Sequence, residues 1–110
     1  MKITYYGHSC FAVEAAGKTL LFDPFITPNP LAKTIELKTI RADYILISHG
    51  HSDHCADAVE IARQTGATIV STVHYDTFPP IRINRPEAIR KFREADKQLH
   101  LLGIGESLFV

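Results

Sequence analysis

The apolar run Tyr44-Ile45-Leu46-Ile47-Ser48 ends on His49-Gly50-His51-Ser52-Asp53-His54, and a helical spacing followed by a second apolar run, Ala67 to Val73, comes behind it. A short apolar run, a helix and another short apolar run form a β-α-β unit. Its two strands are parallel, and their carboxyl ends lie on one rim. Three of the six histidines in the chain fall in the six residues at that rim. A strand that runs into a sharp loop turns alternate side chains toward one point, so His49 and His51 are placed to hold one ion while Asp53 and His54 reach a second. The segment reads as half of a two-metal hydrolytic centre rather than as a solvated polar loop. Imidazole with carboxylate suits zinc, manganese or iron; zinc is placed first, and one or two ions remain open.

Around this unit, Ile3 to Tyr6, Cys10 to Glu14 and Thr19 to Phe22 read as short strands, with Ala16-Gly17-Lys18 turning between the last two. Asp23-Pro24 ends that sheet segment, and Thr27-Pro28-Asn29-Pro30 is a loop, because its prolines lack donors and keep their predecessors out of helix. Leu31 to Ile40 fits neither the helical nor the strand period and stays open between a short helix and irregular structure. Ala56, Val59, Ala62 and Arg63 follow a helical spacing that Gly66 is placed to end. Asn84 is an N-cap, Pro86 suits the first turn and Glu87 completes a capping box. Ala88, Ile89, Phe92 and Ala95 are then expected as a buried stripe, and Leu99 to Ile104 as a final strand that Gly103 and Gly105 loosen at its end.

With 110 residues and 45% hydrophobic content, the chain is sized for one compact domain, 1–110. Twelve basic and twelve acidic residues give zero formal charge, which provides no long-range field to gather nucleic acid or an anionic membrane. The basic cluster Arg82, Arg85, Arg90, Lys91 and Arg93 is broken by Glu87 and Glu94 and reads as a solvated helix face. No stretch has the length of a membrane span, and Met1-Lys2-Ile3-Thr4 lacks the apolar core of a signal peptide, so the expected location is the cytoplasm. Cys10 and Cys55 are expected as free thiols, Cys55 packed rather than ligating.

The His-x-His-x-Asp-His loop behind a buried strand resembles the signature of the metallo-β-lactamase-fold hydrolases. Met1 to Phe11, Leu20-Leu21-Phe22-Asp23-Pro24-Phe25 and Val73-His74-Tyr75-Asp76-Thr77-Phe78-Pro79-Pro80 are similar to a subgroup of small prokaryotic metal-dependent hydrolases related to ascorbate-phosphate lactonases. The likeness covers two blocks, about 1–71 and 73–108. It implies an α/β fold with a mixed sheet, part of an αββα sandwich that needs about twice this length. It also implies that His49 and His51 serve one metal, and Asp53, His54 and His74 the other. Members of the family carry, between those two blocks, a third His for the first metal and an Asp bridging both. The chain passes from Ser71 directly to Thr72-Val73-His74, so the domain is expected to be internally shortened near 71–73. Since His49 and His74 both follow the ends of the two parallel strands, the shortened chain still has a route for bringing His74 to the loop.

By the same resemblance His8, between Gly7 and Ser9, lines the active-site cleft, with an ordinary turn histidine as the alternative. Asp23 resembles a carboxylate that accepts an imidazole N–H and fixes the tautomer of a ligand; a turn Asp before Pro is the alternative. Tyr75, Asp76 and Thr77 suit either cleft or loop packing, and His100 reads as structural. The expected reaction is hydrolysis of an ester, lactone, phosphoester or amide bond in a small-molecule substrate by metal-activated water, with Asp53 orienting the water or taking its proton. The alternative is a non-catalytic metal-binding domain or inactive fragment that lacks the bridging carboxylate and third His. A homo-oligomer is compatible with either reading, through an intersubunit site or an exposed sheet edge.

Overall fold

The computed structural model describes residues 1–71, 84–96 and 99–109. Among these residues six strands form one mixed sheet in the order β1-β2-β3-β4-β5-β6. They are β1 Lys2–Gly7, β2 Cys10–Ala15, β3 Lys18–Phe22, β4 Tyr44–Ile47, β5 Thr68–Ser71 and β6 Leu99–Leu101. The first three make an antiparallel meander, while β3, β4, β5 and β6 are successively parallel. The meander turns at Ala16-Gly17, where both residues take positive φ, 50° and 73°. Two left-handed residues suit the twist of a tight hairpin, so Lys18 belongs to β3 rather than to the turn.

The helices are α1 Ser52–Cys55, α2 Ala58–Thr65 and α3 Arg85–Glu94. Gly66 closes α2 in the left-handed conformation at φ 77° and donates its N–H to the Ala62 carbonyl. In α3 the Asn84 side chain accepts from the Glu87 N–H at 3.1 Å and donates to Glu87 Oε2 at 3.2 Å, the cap that the sequence predicts. The stretch left open from Leu31 to Ile40 is irregular apart from two single 3-10 turns, Pro30–Ala32, which begins one residue before it, and Leu37–Thr39. No helix among the described residues is long and apolar enough to cross a membrane.

Period-two alternation sorts the sheet into two faces. Cys10, Ala12, Leu21, Ile45, Ile47, Ile69 and Leu99 point inward and join Ile61 and Ala62 of α2 in the core. On the opposite face Ile3, Val13, Leu20 and Tyr44 are register-paired across four strands, and so are Tyr5, Phe11, Phe22 and Leu46. Ile3 and Tyr5 are 63% and 69% exposed there. Phe11 and Phe22 stack at 4.5 Å between ring centroids.

Three sequence expectations are corrected. The last strand ends at Leu101 rather than Ile104: Gly105 takes φ 82°, and Gly103 turns back to Glu106, donating its N–H to Oε2 at 2.7 Å. Ala88, Ile89, Phe92 and Ala95 are half-buried rather than buried; Ala88 and Phe92 pack against the core but also line a cavity between α3 and the strands β4, β5 and β6. The metal loop is not loop throughout, since Ser52–Cys55 makes one helical turn, and the following helix starts at Ala58. The strand expected through Val73 is described only to Ser71.

Candidate metal centre

Four chain segments meet at the carboxyl rim of β3 and β4. Parallel pairing of Phe22 with Leu46 carries on past the strand ends, where the Asp23 N–H donates to the Leu46 carbonyl at 3.0 Å and Asp23 comes beside Ser48, the residue before His49. The β1–β2 turn brings His8 to the same rim, because the start of β2 pairs with the end of β3 through Phe11 and Phe22. A close approach shapes that turn. Gly7 has φ 104°, and a Cβ on it would sit 2.8 Å from Asn29 Nδ2, so no other residue fits without displacing the buried Asn29. His8 itself takes φ 52°, and Tyr5 Oη donates to its carbonyl at 3.1 Å.

Asp23 lies beneath the histidines with only 7% of its surface exposed. Its Oδ1 accepts the Ser48 N–H at 2.6 Å, and its Oδ2 accepts the Ser48 hydroxyl at 2.6 Å and His54 Nδ1 at 2.9 Å. These directions fix two tautomers. A carboxylate only accepts, so His54 carries its proton on Nδ1. Ser48 gives its own proton to Asp23, so its Oγ accepts at 2.9 Å from His49, which is protonated on Nδ1 as well. In both rings Nε2 is left with its lone pair, the form in which imidazole binds a metal.

Those lone pairs face other donor atoms. His49 Nε2 is 3.1 Å from His51 Nδ1. Two nitrogens bound to one tetrahedral zinc at about 2.0–2.1 Å stand roughly 3.3 Å apart, so the pair fits a single ion. His54 Nε2 is 3.7 Å from Asp53 Oδ2, which is 3.0 Å from His8 Nε2. His8, Asp53 and His54 offer ligand atoms that all lie within 4.8 Å of one another. The two groups adjoin, with the His49 and His54 ring centroids 4.0 Å apart. Burial pushes the Asp53 carboxyl upward, but the N–H of its own residue, the hydrogen bond to His8 and the charges of His54 and His8 outweigh it and hold the group below the usual carboxylate range.

Of the residues singled out in the sequence, His8, Asp23, His49, His51, Asp53 and His54 are brought together here. His74, with Tyr75, Asp76 and Thr77, lies outside the described residues. His100 is in β6, paired with Val70 and away from the loop. Cys55 donates its thiol to the His51 carbonyl at 3.2 Å, and burial raises its pKa, followed by the charges of Asp23 and Asp53. Cys10 and Cys55 are both free thiols. On α3, Arg90 and Lys91 pair with Glu94 and Glu87, whereas Arg82 is outside the described residues.

Two residues of the site went unremarked in the sequence. Ser48 links Asp23 to His49, and its place as the last residue before the first His was the available signal. Asp57 is buried and accepts the Ile26 and Thr27 N–H groups at 2.7 and 2.9 Å, pinning the loop behind Asp23 to the start of α2. That loop carries Phe25, which meets the His8 ring edge-on at 5.6 Å.

The chain is similar to a metal-dependent hydrolase of Flavobacterium johnsoniae, 49% identical over 78 residues that make up 71% of this chain and 35% of that protein. A metal-dependent hydrolase of Methylacidiphilum infernorum is 59% identical over 71 residues, 64% of this chain and 31% of the other. The chain thus spans about a third of the length of the curated relatives it matches. A solved metallo hydrolase of the hyperthermophilic archaeon Ignicoccus hospitalis superposes with a TM-score of 0.72 at 35% identity, over 98% of this chain and 42% of that one. The mixed sheet with its helices is accordingly a metallo-β-lactamase-like fold. A family model described as the beta-lactamase superfamily domain matches residues 2–105, and the chain belongs to that family.

Proposed function

We propose that this chain carries the metal-binding half of a metal-dependent hydrolase, with His49 and His51 holding one divalent ion and Asp53 and His54 a second, zinc before manganese or iron. The observation that carries this reading is the pair of fixed tautomers: Asp23 and Ser48 take the Nδ1 protons of His54 and His49 and leave two Nε2 lone pairs facing His51 and Asp53. In this reading His74 joins Asp53 and His54, and the domain is a family member shortened internally near 71–73. When bound, the metal supplies Lewis acidity, making water acidic enough to attack at neutral pH and polarising a carbonyl or phosphoryl oxygen. Asp53, whose carboxyl stays ionised, orients the attacking water or takes its proton. His8 positions Asp53 through the 3.0 Å contact. Substrates are small molecules with an ester, lactone, phosphoester or amide bond. The free thiols Cys10 and Cys55 favour the cytoplasm.

A second reading is favoured by one observation. Among the described residues a single group of three ligand atoms, from His8, Asp53 and His54, converges within 4.8 Å. That is the arrangement of a one-ion binding module or of a fragment without turnover. Assays with p-nitrophenyl acetate, a γ-lactone and bis(p-nitrophenyl) phosphate separate the two. The hydrolase reading predicts turnover on one of them that a chelator abolishes and added zinc restores. Turnover on none, in protein shown to hold zinc, leaves the binding module.

A further inference from the structure

A cavity of about 430 Å³ lies between α3 and the strands β4, β5 and β6, and His49 and Gly50 line it from the metal loop. Its size falls in the range of small-molecule sites, roughly 300–1,000 Å³. Ile47, Ala88, Phe92, Leu99 and Leu101 supply apolar walls. The cation on its lining, Lys91, is engaged by Glu87 at 3.2 Å, so this pair leaves little net charge to recruit an anion. Phe92 and Ala88 stay half-buried although they pack against the core, because the space beneath the helix is not filled from the sheet side.

We propose that this cavity binds the apolar acyl or alkyl arm of a neutral substrate and delivers its polar end to His49. The apolar walls accommodate the chain, and the residues shared by cavity and metal loop, His49, Gly50 and Cys55, set where its polar end emerges. For the reaction the inference rests on the hydrolase reading; for binding it does not.

The test is calorimetric titration of the whole chain, zinc-loaded and metal-free, with the series 1-butanol, 1-hexanol and 1-octanol. Each methylene that enters the cavity tightens binding about three- to fourfold, so two methylenes give roughly tenfold between neighbouring alcohols until the cavity is full. Ala88→Phe fills the space and is expected to weaken hexanol binding at least tenfold with zinc content unchanged. Phe92→Ala enlarges it and shifts the tightest-bound alcohol to a longer chain, which decides the matter should Ala88→Phe fail to fold. Affinity that is flat along the series, or equal in wild type and in both variants, would overturn the proposal. Binding that follows the series in a protein without turnover would leave it standing while removing the hydrolase reading.

Discussion

Asp23→Asn tests whether the buried carboxylate tunes the metal ligands or merely holds the rim together. Three donors, the Ser48 N–H, the Ser48 hydroxyl and His54 Nδ1–H, converge on its two oxygens at 2.6, 2.6 and 2.9 Å. An amide keeps the shape and tolerates the φ of 43°, as Asn does in the left-handed region, so the backbone is not the variable. It offers one oxygen, however. With that oxygen on the Ser48 N–H, the amide N–H₂ faces His54 Nδ1, which must move its proton to Nε2 and lose the lone pair aimed at the metal. With the amide flipped, the Ser48 N–H loses its acceptor. A hydrogen bond to a charged group is worth about 1.5–3 kcal/mol, and losing such an orienting partner weakens metal binding about 10–100-fold. The assay is zinc affinity by competition with a chromophoric chelator, paired with urea unfolding of the metal-free protein. Asp43→Asn is the control, since Asp43 accepts the Thr19 N–H at 2.8 Å and contacts Lys18 but touches no histidine. The reasoning is refuted if Asp23→Asn binds zinc within twofold of wild type while unfolding at lower urea, for then the carboxylate is structural only.

Other perturbations read separate parts of the same construction. Asp57→Ala strands the Ile26 and Thr27 N–H groups and should lower stability by roughly 2–4 kcal/mol in urea unfolding; a change below about 0.5 kcal/mol would mean that water replaces the carboxylate. His100→Ala should leave zinc content untouched, and a loss there would show that β6 contributes to the centre. Burial pushes the Cys10 thiol up from 9.0 to about 11, so its stabilising effect is complete below pH 9 and is lost as pH rises toward 11. Unfolding free energy should fall across that window by at most roughly 2–3 kcal/mol, and Cys10→Ser should flatten the slope.

The parallel core was legible because its signals are local. Tyr44 to Ile47 and Thr68 to Ser71 are apolar runs bounded by polar loops, and Gly66 and Asn84 mark helix ends by mechanisms that need no tertiary contact. The clustering of His49, His51, Asp53 and His54 was legible for the same reason, since six consecutive residues cannot lie far apart. What spacing does not reveal is the depth of a site. That Ser48 and Asp23 form the layer beneath the histidines depends on β3 and β4 being neighbours, and that pairing is 25 residues long-range. His8 reaches Asp53 across 45 residues only because Gly7 lets the β1–β2 turn close on Asn29. The half-buried stripe of α3 escaped for a related reason: a helical period shows which face is apolar but not whether the neighbouring layer comes close enough to cover it.

The central claim, that this rim is a metal centre built on His49, His51, Asp53 and His54, is tested most directly by counting metal ions per chain. Elemental analysis of protein purified without chelator, wild type beside His51→Ala and His54→Ala, should give two ions in the wild type and one in each variant. A wild type with one ion or none, or variants that keep the full complement, would contradict it.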